Sequence, residues 1–143
     1  MNSHSKLFPA RRSLLGVLAL GAALYAGSVQ AQGGQLPLPA GASIKSWQDN
    51  GAEGRYVLQV IKGQLPKSKA NKAVTGTVTS DTDCDADAQG LSHCHNNVKL
   101  ADGTELTLID SHNMHRNRCL GPGDQLALTG LGKTWVVGTL FKR

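Results

Sequence analysis

The chain has 143 residues, a formal charge of +5 and only 4% aromatic residues. Lys6, Arg11 and Arg12 lie in the first 31 residues with no acidic group among them, so the charge of the remainder is only about +2. Without a strong basic field or many ring faces to stack bases on, the composition argues against nucleic acid as a partner.

Residues 1–31 read as a signal peptide. Basic residues precede an apolar run from Leu14 to Ala26, and Val29-Gln30-Ala31 has the small-x-small form that signal peptidase accepts. The apolar run is short for a bilayer-crossing helix, so no membrane span is expected once the chain is cleaved after Ala31. The expected location is periplasmic or secreted, with Gln32 as the new N-terminus. The pair Arg11-Arg12 permits the twin-arginine route without requiring it. About 110 residues then remain, enough for one small domain.

Residues 32–66 read as an N-terminal strap or linker. "QGGQLPLPAGASIKSW" is rich in Gly and Pro and has no apolar period, so no site is expected there. "RYVLQVIKGQLP" fits either a strand or a short helix. Residues 67–143 read as the main domain. After the basic turn "KSKANK", strands are expected in "AVTGTVTS", in the two halves of "NNVKLADGTELTLID", in "DQLALTG" and in "KTWVVGTL". Three meandering strands, a longer connection and a final hairpin give a mostly β fold: a five-stranded OB-like Greek-key barrel with an irregular or partly helical strap before it.

Gly76-Thr77-Val78, the hairpin Asp102 to Asp110 and the segment Pro122 to Gly130 resemble the strand patterns of small bacterial periplasmic OB-fold domains of unknown function. The resemblance covers about residues 73–140 and implies the fold and an envelope setting. It implies no residue roles, and the Cys and His cluster departs from the family pattern.

The hairpin register bears on chemistry. A two-residue Asp102-Gly103 turn would mix apolar and polar faces, whereas a three-residue loop with Gly103 in the left-handed region pairs Val98 with Leu106 and Asn96 with Leu108. Extended outward, that register sets Cys94 opposite Asp110 and Ser92 opposite His112. "SHCHNN" and "SHNMHRNRC" thus leave the same end of one hairpin, which brings His93, His95, His112 and His115 to one barrel mouth. These four, with Met114 or a free cysteine, are the candidate metal ligands: copper if a soft ligand joins, zinc if none does.

Cys84, Cys94 and Cys119 are the disulfide candidates. An exported chain with three cysteines forms one bridge and keeps one thiol, and the sequence leaves the pairing open. If Cys119 is the free one, Arg116 and Arg118 beside it are expected to lower its pKa. The competing functional reading is a disulfide-stapled envelope module that recognises another envelope protein and binds no metal. A remote alternative sets His95, Asn113 and His115 as a ββα-metal nuclease, but Gly121-Pro122-Gly123 leaves no room for the helix it needs. Asp81, Asp83, Asp85 and Asp87 alternate, yet Ala86 and Ser92 stand where a calcium loop wants Gly and Glu. The chain carries no nucleophile elbow, and no enzymatic activity is expected. The odd cysteine leaves monomer and covalent dimer both open.

Overall fold

The structure is a computed structural model that describes residues 36–67 and 72–141. The signal-peptide segment, the start of the strap and the basic turn at 68–71 lie outside the described residues. Six strands form a closed antiparallel barrel: β1 (Arg55–Lys62), β2 (Val74–Thr82), β3 (Ser92–Leu100), β4 (Glu105–His112), β5 (Gln125–Gly130) and β6 (Trp135–Leu140), paired in the order β1-β4-β3-β2-β5-β6.

The five strands expected from the sequence are β2 to β6, and their spatial order is that of an OB barrel. The sixth is the difference. The segment "RYVLQVIK", which fitted strand or helix, is β1, and it closes the barrel between β4 and β6. Its period is hidden because both of its faces are covered: Tyr56 and Leu58 enter the barrel core, while Val57 packs outward under the strap. A strand buried on two sides loses the alternation that marks a half-solvated one.

Inward positions of all six strands, among them Leu58, Val78, Val98, Leu106, Leu108, Leu126, Leu128 and Val136, fill the barrel. Leu120, from the connection between β4 and β5, is fully buried and plugs one end. That connection has no helix. It turns at Asn113–Asn117 and is tied to β2 through Val78, whose N–H donates to Asp124 O and whose carbonyl accepts from Gly123 N–H.

The strap is folded onto the barrel. It makes two 3-10 turns, Trp47–Asp49 and Ala52–Gly54. Trp47 is 4% exposed, stacks on Trp135 with ring centroids 5.5 Å apart, and donates its indole N–H to Leu36 O. With Val57 and Leu91 it makes a second small core outside the barrel wall. Trp135 is therefore wall filler that faces the strap.

The β3–β4 hairpin has the expected register: Ser92↔His112, Cys94↔Asp110, Asn96↔Leu108 and Val98↔Leu106. Gly103 takes φ +88°, and Leu100 N–H donates to Thr104 O, as a three-residue loop with a left-handed glycine requires.

Candidate functional site

Opposed residues of an antiparallel pair share a face. Ser92, Cys94 and Asn96 on β3 and Asp110 and His112 on β4 therefore enter the barrel together, and all five are buried. His93 and His95 are turned out. The ring of His93 lies between Ser111 Oγ at 2.8 Å and Asp87 Oδ2 at 2.9 Å, and His95 Nδ1 is 3.5 Å from Asp83 Oδ2. Their side chains are 43% and 40% exposed, against 0% for His112. His115 and Met114 are exposed on the turn that follows β4. The shared barrel end thus holds all four histidines, but the period-two alternation separates them. No group of metal-ligating atoms among the described residues contains any of them.

The donor atoms that do converge are those of Asp81, Cys84, Cys94 and Cys119, all within 4.8 Å of one another. Four elements supply them: the end of β2, the β2–β3 connection, β3, and the β4–β5 connection. Asp81 is the residue that sequence reasoning missed. In a regular ladder after Val78↔Val98, Ser80 would face Asn96 and Asp81 would point outward. A bulge at Thr79 shifts the register, so that Asp81 faces Asn96 inside the barrel. Asn96 Nδ2 donates to Asp81 Oδ1 at 2.9 Å. Burial holds the Asp81 carboxyl above its ordinary pKa, with Asn96 and His112 working in the other direction.

Cys84 and Cys94 form the disulfide, and Cys119 is the free thiol. Cys84 Sγ lies 3.3 Å from Asp81 Oδ1. The Cys119 pKa, expected to be lowered, is instead raised, first by burial and then by the charges of Asp81 and Asp110. Arg118 pulls the other way but is committed to Asp124, with contacts of 2.7 and 3.0 Å, and Arg116 is drawn toward Asp49 at 3.5 Å.

Behind the sulfurs lies a buried polar layer. His112 Nδ1 is 3.1 Å from Asp110 Oδ2, an ion-pair contact at a poor angle for a hydrogen bond. Asp110 is raised above the usual carboxylate value by burial and by Asp81, against the pull of His112. Burial lowers the His112 imidazole, but the adjoining Asp110 outweighs it, and the net direction is up. Asn50, from the strap where no site was expected, donates to Val57 O, Asp110 Oδ1 and Ser111 O and accepts from Val57 N–H. Tyr56 donates its hydroxyl to Arg118 O at 2.7 Å, and burial followed by Asp110 pushes its pKa up to about 12.

The acidic run is dispersed. Asp81 points in, Asp83 adjoins His95, and Asp87 receives the N–H groups of Gln89 and Leu91 on one oxygen and His93 on the other. That leaves no converging carboxylate cage for calcium among the described residues. The nuclease geometry is missing too: no helix follows β4, and Asn113 donates to Gln48 Oε1 of the strap. Comparison with protein-family models, with curated proteins and with solved structures finds no match.

Proposed function

We propose that the chain is an exported metal-binding protein that holds a soft transition-metal ion, copper(I) first and zinc second, between Asp81, Cys84, Cys94 and Cys119. The observation that carries this reading is the convergence of the four donor atoms within 4.8 Å at one barrel end. Ligands around a tetrahedral ion with metal–sulfur bonds of about 2.3 Å sit roughly 3.8 Å apart, so a displacement of about 1 Å per side chain completes the shell. Three thiolates favour copper(I) over harder ions, and one carboxylate keeps zinc in range. The metal-binding form is the one in which two electrons from a thiol donor have opened Cys84–Cys94, because a disulfide sulfur is no thiolate ligand. The leader read in residues 1–31 would deliver the chain to an oxidising compartment, so occupancy would follow the local thiol balance.

The test is anaerobic titration of the reduced chain with copper(I) against a competing chelator. A single ion per chain is expected, with binding weakened in Cys94→Ser and Cys119→Ser and unchanged in His95→Ala. Copper retention no greater than that of an unfolded control, or retention indifferent to the cysteine variants, would overturn the reading. The bridge favours a second reading in that event, a stapled envelope module whose outer loops dock a partner protein.

A further inference from the structure

Cys119 Sγ lies within 4.8 Å of both sulfurs of the Cys84–Cys94 bridge. Cys84 and Cys94 are 10 residues apart and Cys119 follows Cys94 by 25, and the three meet because two connections and a strand converge at one barrel end. A free thiol beside a disulfide is the starting arrangement for exchange, which passes through attack by one sulfur on a bonded pair. The two bonded sulfurs differ in setting. Cys94 is fully buried and fixed within strand β3, paired with Asp110 of β4. Cys84 is half-buried in an irregular connection that begins at Asp83 with φ +57°. Departure of Cys84 releases a thiolate toward water, whereas departure of Cys94 would strand one among Asn96, Asp110 and Leu120.

We propose that the three cysteines form an internal disulfide relay, in which the bond migrates from Cys84–Cys94 to Cys94–Cys119 and presents Cys84 as a surface thiol for a protein dithiol or disulfide partner. In the exchange, Cys119 gives its proton to water and its sulfur bonds to Cys94 Sγ. The Cys84–Cys94 bond breaks, and Cys84 leaves with the electron pair and takes a proton from water. One disulfide and one thiol are present before and after, so no oxidant or reductant is consumed. Cys94 is the fixed sulfur shared by both isomers, and Cys84 and Cys119 alternate as its partner.

The relay operates in the oxidised chain and needs no ion, so it stands apart from the metal reading. The experiment uses the oxidised, chelator-treated full chain, quenched with acid, alkylated with N-ethylmaleimide and mapped by mass spectrometry. Two isomers are expected, one labelled at Cys119 and the other at Cys84, in a ratio unchanged by dilution. Label confined to Cys119 overturns the relay, and so does a Cys84-labelled fraction that falls on dilution. Cys84→Ser is the second arm: it should oxidise to Cys94–Cys119 with no thiol left to label, and two persistent thiols in the folded variant would refute the proposal. If copper titration fails while these isomers appear, only the metal reading is lost; the converse removes the relay alone.

Discussion

Cys119 and His112 show why chain neighbours mislead about local chemistry. Arg116 and Arg118 adjoin Cys119 in sequence, yet Arg118 is spent on Asp124, and the fold brings the carboxylates of Asp81 and Asp110 toward the thiol instead. His112 looked like one of four equivalent ligands and is the one taken inside. Its partner was readable, because the register that fixed Cys94 opposite Asp110 also placed both carboxylate and imidazole on the inner face. Asp81 and Asn50 were not readable: a one-residue bulge inverts the first, and a long-range contact with no local pattern recruits the second. The Asp110–His112 pair makes a pH prediction. Both groups bind protons more tightly in the fold than in the unfolded chain, so their contribution to stability is complete below the ordinary carboxylate value. It declines as pH rises past about 4 for Asp110 and again past about 6.5 for His112. The urea midpoint should therefore fall as pH rises past about 6.5, and His112→Gln should flatten that fall. An undiminished fall in the variant would place its origin elsewhere.

At the scale of elements, most of the barrel was legible because β2, β3, β4, β5 and β6 each expose one face and so alternate. β1 was ambiguous for the opposite reason, being covered by core on one side and by strap on the other. Glycine content told less than glycine position. Gly76 on β2 faces the interior, where a Cβ would stand 2.6 Å from Val98 Cγ1 and 3.2 Å from Leu128 Cδ1. Valine is stiff at χ1 and seated in the barrel wall, so it gives way poorly. Gly76→Ala should cost about 1–3 kcal/mol by overpacking, read from chemical denaturation, and adding Val98→Ala should cost less than the two single changes summed. Strict additivity would mean that the two sites do not meet.

Across the described unit, the strap belongs to the folded structure. Of the two readings left open for this segment, linker or strap over the surface, the strap is the one that fits: it buries Trp47 against Trp135, supplies Asn50 to the polar layer and holds the β4–β5 turn through Gln48. Gly and Pro content announces irregular backbone, and irregular backbone can still be ordered by two tryptophans and a few hydrogen bonds. Trp47→Ala should destabilise the fold by about 3–5 kcal/mol and shift the emission of Trp135 to the red. A loss below about 1 kcal/mol would show that the barrel stands without its strap.

The pairing of β1 with both β4 and β6 carries a kinetic consequence. Arg55 sits opposite Thr139, about 80 residues later, so β1 finds its second neighbour only after β2 to β5 have been made. Contacts of such long range raise the contact order and place closure in the slow, millisecond-to-second regime of β-barrels. Until β6 arrives, β1 presents an open hydrogen-bonding edge to any other extended chain. The barrel therefore stays unclosed until Trp135–Leu140 has emerged, and throughout that interval the β1 edge is covered only by whatever other chain or chaperone reaches it.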